Sequence, residues 1–298
     1  MTQPQDILGI PVHFVGYEEV LSTIARWHNR QEQHYICLSN PHSIMQCRRD
    51  EEMRNASRNA GLVLPDGTGV VLAARLLGYR HQGRVTGPSL MLRVCDKGRE
   101  PQLRHFFYGG EPRVILRLIE QLEKQFPGIE VAGGFSPPFR ELTEKEDEEV
   151  VRRINEAQPD IVWVGLGAPK QEKWMASHVG KINAVAMIGV GAAFDFHSGS
   201  VHWAPPWLRK IGCEWAFRLI QDPKRLWKRN LDSFSFLALL MSQYIRKAGE
   251  TKAALPDHDI ASEEPQVTIE TFNNCDKRIH IHPKPSETEP VPSNNAVR

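Results

Sequence analysis

The sequence predicts an α/β protein with a mostly parallel sheet and helices on both of its faces. Two observations predict this fold class: short, continuously apolar segments recur along the first 200 residues, and a helical pattern follows most of them. Strands that are buried on both faces are apolar throughout, and strands that alternate with helices form parallel sheets.

The predicted elements alternate in a regular order along the chain. Strands are predicted at residues 34–39, 62–64, 104–110, 128–133, 160–167 and 183–191. Helices are predicted at residues 17–30, 41–60, 68–78, 88–97, 112–125, 143–157 and 169–179. The sequence contains no internal repeat.

The composition of the chain changes after about residue 200. Residues 203–230 carry four of the seven tryptophans and seven basic residues against two acidic ones, and an apolar helical pattern continues to residue 248. From there the sequence is rich in Pro, Glu and Asn and has no periodicity, which is typical of disorder. We therefore predict an α/β core at 1–200, a basic, Trp-rich helical appendage at 201–248 and a disordered tail at 249–298.

Composition and charge exclude several classes of protein. The net charge of +1 gives no reason to expect a nucleic-acid partner, and the five cysteines form no CxxC pair, so we expect a reducing cytosol and no disulfide framework. The N-terminus does not resemble a signal peptide. The longest apolar run near the C-terminus, 234–241, is far shorter than the roughly twenty residues of a spanning helix, so we expect no membrane crossing.

The segment VWVGLGAPKQEKW (162–174) is typical of a phosphate site. A buried strand ends in glycines, and a helix is predicted to start at Pro169. The free N–H groups at the start of such a helix favour an anion. Contributors to a diphosphate site would be Gly165, Gly167, Lys170, Gln171 and Lys173. A tight turn with solvated charges explains the segment equally well, and the third glycine of GxGxxG is missing, which disfavours an NAD site.

The segment MIGVGAAFDFHSGS (187–200) has the same design, with Gly189 and Gly191 after an apolar strand. We expect these two glycine-ended strands to be neighbours at the carboxyl edge of the sheet, where ligands of open α/β sheets bind. The polar residues Asp195, His197 and His202 suggest a metal, but their spacing is poor for ligands, and local hydrogen bonding explains them better.

The segment VLPDGTGVV (63–71) places Asp66 at the end of a strand. Asp-Gly is a common turn pair and Asp is a good helix cap, so spacing alone favours a structural role. The functional alternative is a carboxylate that takes the proton of an attacking sugar hydroxyl. In GRVTG (83–87), Arg84 is either a surface arginine or a cation that neutralises a leaving diphosphate.

Two further features have both a structural and a functional interpretation. After the first strand, Ser39 and Asn40 either bind a substrate or cap the next helix. The basic, Trp-rich stretch 203–230 suits the headgroup level of an anionic membrane, or it is a helical segment docked on the core with its charges in solvent.

The blocks LPDGTGVV, RVTG, VGLGAPKQEKW, IGVGAAFDFHSG and EWAFRLIQDPKRLWKR resemble, in order and spacing, those of the WecG/TagA/CpsF glycosyltransferases, glycosyltransferase family 26. The resemblance covers about residues 7–229. It implies a Rossmann-like α/β fold and an inverting, metal-independent hexosyltransferase without a cofactor. Such an enzyme moves N-acetylmannosamine, its uronic acid, glucose or a similar sugar from a UDP-sugar to a polyprenyl-diphosphate-linked saccharide in bacterial surface or exopolysaccharide biosynthesis.

The resemblance also implies roles for individual residues. Asp66 is the expected base, and Arg84 is expected to meet the diphosphate. Asn40 and Gln171 are expected to line the pocket. The basic C-terminal segment is expected to reach the inner face of the cell membrane and to help complete the site, through Arg209, Lys210, Arg218 and Arg225.

The sequence departs from the family pattern at SNPHS (39–43) and in its tail after residue 250. Two rival functions remain at this stage. Another nucleotide-dependent enzyme, such as an NAD-linked dehydrogenase or a sugar-nucleotide epimerase, would need a complete GxGxxG after the first strand, which is absent. A non-catalytic membrane-associated scaffold would use residues 203–248 as its anchor.

Overall fold

The computed structural model describes residues 3–80 and 83–253. Its strands are β1 (Gln5–Ile7), β2 (Ile10–Val12), β3 (His34–Ser39), β4 (Leu62–Pro65), β5 (Arg104–Gly109), β6 (Glu130–Phe135), β7 (Ile161–Gly165) and β8 (Ala186–Gly189). Strands β3 to β8 form a six-stranded parallel sheet in the order β4-β3-β8-β7-β5-β6, while β1 and β2 pair as an antiparallel hairpin. The predicted α/β class and its parallel sheet are confirmed.

The helices cover both faces of this sheet. They are α1 (Tyr17–Arg30), α2 (Pro41–Arg49), α3 (Glu51–Arg58), α4 (Thr68–Leu76), α5 (Gly87–Lys97), α6 (Pro112–Gln125), α7 (Glu144–Ala157), α8 (Lys170–His178), α9 (Ala193–His197), α10 (Pro206–Lys210), α11 (Glu214–Gln221) and α12 (Pro223–Ala253). The predicted helix at 41–60 is two helices, because Asp50 ends α2 and its side chain accepts a hydrogen bond from the backbone N–H of Met53 to cap α3.

Two apolar layers enclose the sheet. Along β7, Trp163 belongs to the layer formed with α1, α5, α6 and α9, while Val162 and Val164 belong to the layer formed with α2, α4, α7 and α8. This alternation is what a strand buried on both faces requires. Burying each such large apolar side chain contributes roughly 1.5–3 kcal/mol to folding.

Helix α12 docks on the second layer through Phe236 and Leu240, which are almost fully buried. It extends to Ala253, so it includes the first five residues of the predicted tail, and the rest of that tail lies outside the described residues. Within residues 3–80 and 83–253, no helix is both long enough and apolar enough to span a bilayer.

Candidate active site

The carboxyl ends of four adjacent strands, β4, β3, β8 and β7, form the edge where the predicted site residues meet. The two glycine-ended strands are neighbours, as the sequence predicts, with Val164 of β7 opposite Gly189 of β8. Parallel sheets bind ligands in the crevice at this edge. The loops that follow these strands therefore form the candidate active site.

Asp66 directly follows β4 and is half-buried. Its backbone N–H donates to the carbonyl oxygen of Ser39 at 2.7 Å, which joins the ends of β4 and β3. Helix α4 has Gly67 as its N-cap residue, with a φ of 100° that favours glycine. Asp66 therefore does not occupy the cap position, contrary to the structural interpretation of this segment.

The second glycine of DGTG brings α4 and α2 into close contact. A Cβ atom on Gly69 would lie 2.5 Å from Cγ of Pro41, so only glycine fits there without movement. The Cβ of Asn40 lies 3.9 Å from the ideal Cβ position of the neighbouring Gly67, so the two residues are in contact. The glycines of this segment thus hold the Asp66 loop beside Asn40.

Asn40 caps α2. Its Oδ1 accepts a hydrogen bond from the backbone N–H of Ser43 at 3.0 Å, and the Ser43 hydroxyl in turn accepts from the backbone N–H of Asn40 at 2.8 Å. The capping interpretation is therefore confirmed for Asn40. The contact of Asn40 with substrate stays a prediction, which its position beside Asp66 supports.

Arg84 is brought to the Asp66 loop by a backbone hydrogen bond. The N–H of Val85 donates to the carbonyl oxygen of Pro65 at 2.9 Å, so the residues on either side of this bond, Arg84 and Asp66, belong to the same corner of the edge. Helix α5, which follows this loop, starts in close contact with the residue after β8, since a Cβ on Gly87 would lie 3.1 Å from the carbonyl oxygen of Val190.

The β7–α8 loop is held by Gln171, which is 5% exposed. Its Oε1 accepts from the backbone N–H of Gly167 at 3.2 Å and lies 3.6 Å from the ideal Cβ position of Gly191. An ideal Cβ on Gly189 would lie 3.0 Å from the Nε2 of Gln171, so the Gln171 amide fills the space beside this glycine. Gln171 therefore connects the ends of β7 and β8.

The other predicted residues of this loop have different surroundings. Gly165 faces the ring of Phe194, which lies 2.8 Å from where a Cβ of this glycine would be. At Gly167, by contrast, no atom of the described part of the chain lies within 4 Å of such a position. Helix α8 begins at Lys170, which is exposed, one residue later than predicted. The ammonium of Lys173 pairs with Asp50 at 2.7 Å and with Glu52 at 2.8 Å, and its predicted contribution to a diphosphate site stays a prediction.

Glu172 is a buried carboxyl group that the sequence did not single out. It is 2% exposed, its Oε1 accepts from Nε2 of Gln171 at 3.0 Å, and its Oε2 has no hydrogen-bond partner among the described residues. Burial raises the pKa of Glu172, because the charged form loses its hydration. This group positions the Gln171 amide from beneath the site.

The basic appendage contacts the edge of the sheet at Arg84 and Thr68. The guanidinium of Arg84 donates to the backbone carbonyl of Arg209, and the hydroxyl of Thr68 donates to the carbonyl of Gly212 at 3.3 Å. These contacts bring residues 209–212 to the Asp66 corner. The appendage and the predicted catalytic pair therefore share one site.

The arginines of the appendage stack on aromatic rings. The guanidinium of Arg209 lies 3.7 Å from the ring centroid of Trp203, and that of Arg218 lies 5.4 Å from the ring centroid of Phe196. The Trp203 and Phe196 rings themselves stack at 6.0 Å. Stacking leaves the edges of a guanidinium free to donate hydrogen bonds. The side chain of Arg225 lies outside the described residues.

The polar residues after β8 take part in local packing. Nε2 of His197 lies 2.9 Å from the carbonyl oxygen of Pro88, and burial lowers the pKa of His197. Across residues 3–80 and 83–253, no three His, Cys, Asp or Glu side chains are grouped so that they could hold a metal ion.

A buried polar contact joins α12 to α2. Asp232 is buried and accepts hydrogen bonds from Nδ1 of His42 and Nη2 of Arg49, both at 2.6 Å. Burial acts to raise the pKa of Asp232, but these two contacts outweigh it and hold the pKa below its ordinary value. The contact was missed from sequence because its members are some 190 residues apart.

Together these residues can support transfer of a group to a hydroxyl. The Val85–Pro65 backbone hydrogen bond brings the Asp66 and Arg84 positions to one corner of the sheet edge, and the Arg84 guanidinium contacts the backbone of the basic appendage there. A carboxylate can accept a proton, and a guanidinium can stabilise charge on a leaving phosphate.

The sequence model described as the glycosyl transferase WecG/TagA/CpsF family matches residues 5–250. The chain belongs to this family. It is a glycosyltransferase, and the predicted resemblance is confirmed over a longer stretch than residues 7–229.

Three relatives to which the chain is similar share the name N-acetylglucosaminyldiphosphoundecaprenol N-acetyl-β-D-mannosaminyltransferase. The chain is 34% identical to that of Bacillus spizizenii over 66% of this chain and 74% of the relative. It is 31% identical to that of Bacillus subtilis over 74% and 86%, respectively. For that of Staphylococcus aureus the identity is 27% over 83% and 96%.

Proposed function

We propose that this glycosyltransferase transfers a hexose-type sugar from a UDP-sugar to a polyprenyl-diphosphate-linked saccharide, with inversion. The relatives are named for adding N-acetyl-β-D-mannosamine to N-acetylglucosaminyl-diphosphoundecaprenol, so we propose this donor sugar and this acceptor first. The sugar of a UDP-hexose donor is typically α-linked, so a β-linked product is what inversion gives. The product would serve a bacterial surface or exopolysaccharide.

The observation that carries the proposal is the backbone hydrogen bond from the N–H of Val85 to the carbonyl oxygen of Pro65, because it brings the positions of Asp66 and Arg84 to the same corner of the sheet edge. In the proposed step, a hydroxyl oxygen of the acceptor bonds to C1 of the donor sugar, and its proton passes to the Asp66 carboxylate. The bond from C1 to the phosphate oxygen breaks, and its electron pair leaves with UDP. Arg84 stabilises the charge that develops on the diphosphate.

Neighbouring groups would complete the binding of both substrates. Backbone at Gly167 and Gly191, with the Gln171 amide between them, would face the donor, together with Lys170 at the exposed start of α8. Arg209 and Arg218 would contact the diphosphate of the acceptor or of the donor. The proposal needs no metal ion, so turnover should be unchanged by a chelator such as EDTA.

We also propose that the appendage rests on the inner face of the cell membrane, where a polyprenyl-linked acceptor is embedded. Its large apolar side chains are exposed among basic residues: Trp207, Ile211, Trp215, Ile220 and Trp227. Such a surface suits anionic lipid headgroups. The protein would then be cytoplasmic and peripheral.

The variant Asp66→Asn tests the catalytic assignment. It keeps the shape of the side chain but removes the base, so we expect turnover to fall about 10²–10⁴-fold while UDP binding remains. The assay measures sugar transfer from UDP-N-acetylmannosamine to a short-chain polyprenyl-diphosphate-N-acetylglucosamine, followed by other UDP-sugars.

The matched control is Asp96→Asn, which changes a half-buried aspartate that pairs with Arg99 at the C-terminal end of α5. It should keep full turnover. Full turnover in Asp66→Asn would remove Asp66 from the role of base. If the wild-type protein transferred no sugar and yet bound liposomes, a membrane-associated scaffold would replace the proposed function.

A further inference from the structure

A cavity of about 650 Å³ lies between α12, the β1–β2 hairpin and helices α2 and α3. Four arginine side chains and one carboxylate are among the groups that line it: Arg48, Arg54, Arg58, Arg246 and Asp6. Like charges around one space repel one another, and a bound anion would offset this repulsion.

The single carboxylate of the cavity is already engaged. Oδ1 of Asp6 accepts from Nε2 of Gln243 at 2.9 Å and from the backbone N–H of Gly9 at 3.2 Å. These contacts hold the hairpin to α12. Asp6 therefore neutralises the cavity only in part, and the cationic side chains outnumber it.

The arginines of α2 and α3 retain donors for a ligand. Among the described residues Arg48 makes no hydrogen bond or ion pair, and Arg54 reaches only the exposed Glu51, at 3.7 Å. Arg58 donates one hydrogen bond, from Nε to the carbonyl of Gly9 at 2.9 Å. Because a guanidinium carries five N–H donors, each of these side chains has several to offer.

The cavity is separate from the candidate active site. The wall of the cavity contains none of Asp66, Arg84 and Gln171. Helix α12 meets the start of α2 through the Asp232–His42 contact, and the first α12 residue in the cavity wall is Leu239, seven residues later. At about 1.5 Å per residue, the helix places these two residues roughly 10 Å apart. A ligand in this cavity would thus be additional to any donor bound at the Asp66 corner.

We propose that this cavity binds a phosphate-bearing anion. The planar fork of arginine matches the oxygens of a phosphate, and several forks can share the two phosphates of a diphosphate. The volume exceeds that of inorganic phosphate, and the apolar side chains of Leu8, Ile10 and Leu239 in its wall suit an attached organic group. The phosphate belongs to a dissolved ligand or to an anionic lipid headgroup.

A ligand in this cavity would connect the C-terminal helix to the core of the protein. Arg246 is on α12, whereas the other three arginines are on α2 and α3, so a bound anion joins the C-terminal helix to the core. A ligand that binds only the docked arrangement stabilises it by mass action. Occupancy should therefore slow the opening of α12.

The test uses inorganic diphosphate and the full chain, with hydrogen exchange followed for peptides within 236–249. Diphosphate should slow their exchange in the wild type. The double variant Arg48→Ala, Arg54→Ala should raise the diphosphate concentration that is required for this effect by about tenfold or more. It leaves the Arg58–Gly9 hydrogen bond in place. The matched control is Arg113→Ala, Arg117→Ala, two exposed arginines of α6.

Binding of diphosphate at the proposed catalytic corner would instead slow hydrogen exchange in the Asp66 segment. The peptides whose exchange changes therefore show which of the two sites is occupied. Flotation with phosphatidylcholine vesicles, with and without phosphatidylglycerol, distinguishes the source of the phosphate. If the cavity variant loses the diphosphate effect on exchange but still floats with phosphatidylglycerol vesicles, the ligand is a dissolved one. If it loses flotation with phosphatidylglycerol vesicles but keeps the diphosphate effect, the ligand is a lipid. If the cavity variant behaves like the control variant in both assays, the proposal is overturned.

Discussion

The guanidinium of Arg84 donates a hydrogen bond to the backbone carbonyl of Arg209, a residue 125 positions later in the chain. One side chain therefore connects the loop beside Asp66 to the basic appendage. If Arg84 also meets the leaving diphosphate, then the loading of the donor and the position of the appendage are coupled through it.

Replacing Arg84 with Ala should affect both catalysis and the appendage. We expect kcat/KM to fall roughly 10²–10³-fold, because a preorganised donor to the leaving group is lost. Hydrogen exchange in residues 203–213 should become faster. The variant Arg84→Lys keeps the charge without the fork and should recover only part of the activity. Unchanged activity in Arg84→Ala would separate Arg84 from the leaving group.

Adding a methyl group at Gly189 should disturb the donor site while leaving the fold intact. A Cβ there would lie 2.8 Å from Cε of Met175 and 3.0 Å from Nε2 of Gln171. Met175 can move, but Gln171 is held by Gly167 and Glu172. We expect Gly189→Ala to cost about 1–3 kcal/mol of unfolding free energy and to raise the KM for the UDP-sugar.

The control for this variant is Gly249→Ala, since no atom of the described residues lies within 4 Å of a Cβ at that position. Its steady-state kinetics should match those of the wild type. An unaltered KM in Gly189→Ala would show that Gln171 does not position the donor.

The sequence predicted the sheet well because its strands are short, apolar and bounded by turn residues. The Gly189 and Gly165 strands could be predicted to be neighbours because both end in glycines at one edge. The break between α2 and α3 was missed, although Asp50 is a good cap, because the apolar pattern continues across it.

Contacts over long sequence separations could not be predicted. Nothing near Asp232 indicates that His42 and Arg49 will meet it, and nothing near Glu172 distinguishes a buried glutamate from a solvated first-turn residue. The role of Asp66 shows the same limit. Local chemistry favoured a cap, while the structure gives the cap position to Gly67.

The buried Glu172 predicts a pH dependence of stability. Its folded pKa is raised above the ordinary 4.5, so between those two values the folded state holds a proton that the unfolded state has lost. Stability should therefore fall as pH rises from about 4.5 through the raised pKa. Urea unfolding across this range should show a smaller decrease for Glu172→Gln than for the wild type.

Glu123→Gln serves as the matched control for this measurement, because Glu123 is an exposed glutamate on α6. Its pH profile should parallel that of the wild type. Identical slopes for the wild type and Glu172→Gln would mean that Glu172 is not protonated in the folded protein at pH values where it ionises in the unfolded chain.

Asp232→Asn should loosen α12 at the end nearest Asn40. The substitution removes the charge that pairs with His42 and Arg49, and we expect it to cost about 1–3 kcal/mol at neutral pH. Because the folded pKa of Asp232 lies below the ordinary 3.8, this contribution is complete above that pH and is lost as pH falls below it. Urea unfolding at pH 7 measures the cost, and hydrogen exchange of α12 measures the loosening. Asp96→Asn, which alters the half-buried pair of Asp96 and Arg99 at the C-terminal end of α5, should change neither quantity. If Asp232→Asn also left both unchanged, the buried contact would not be what holds α12 in place.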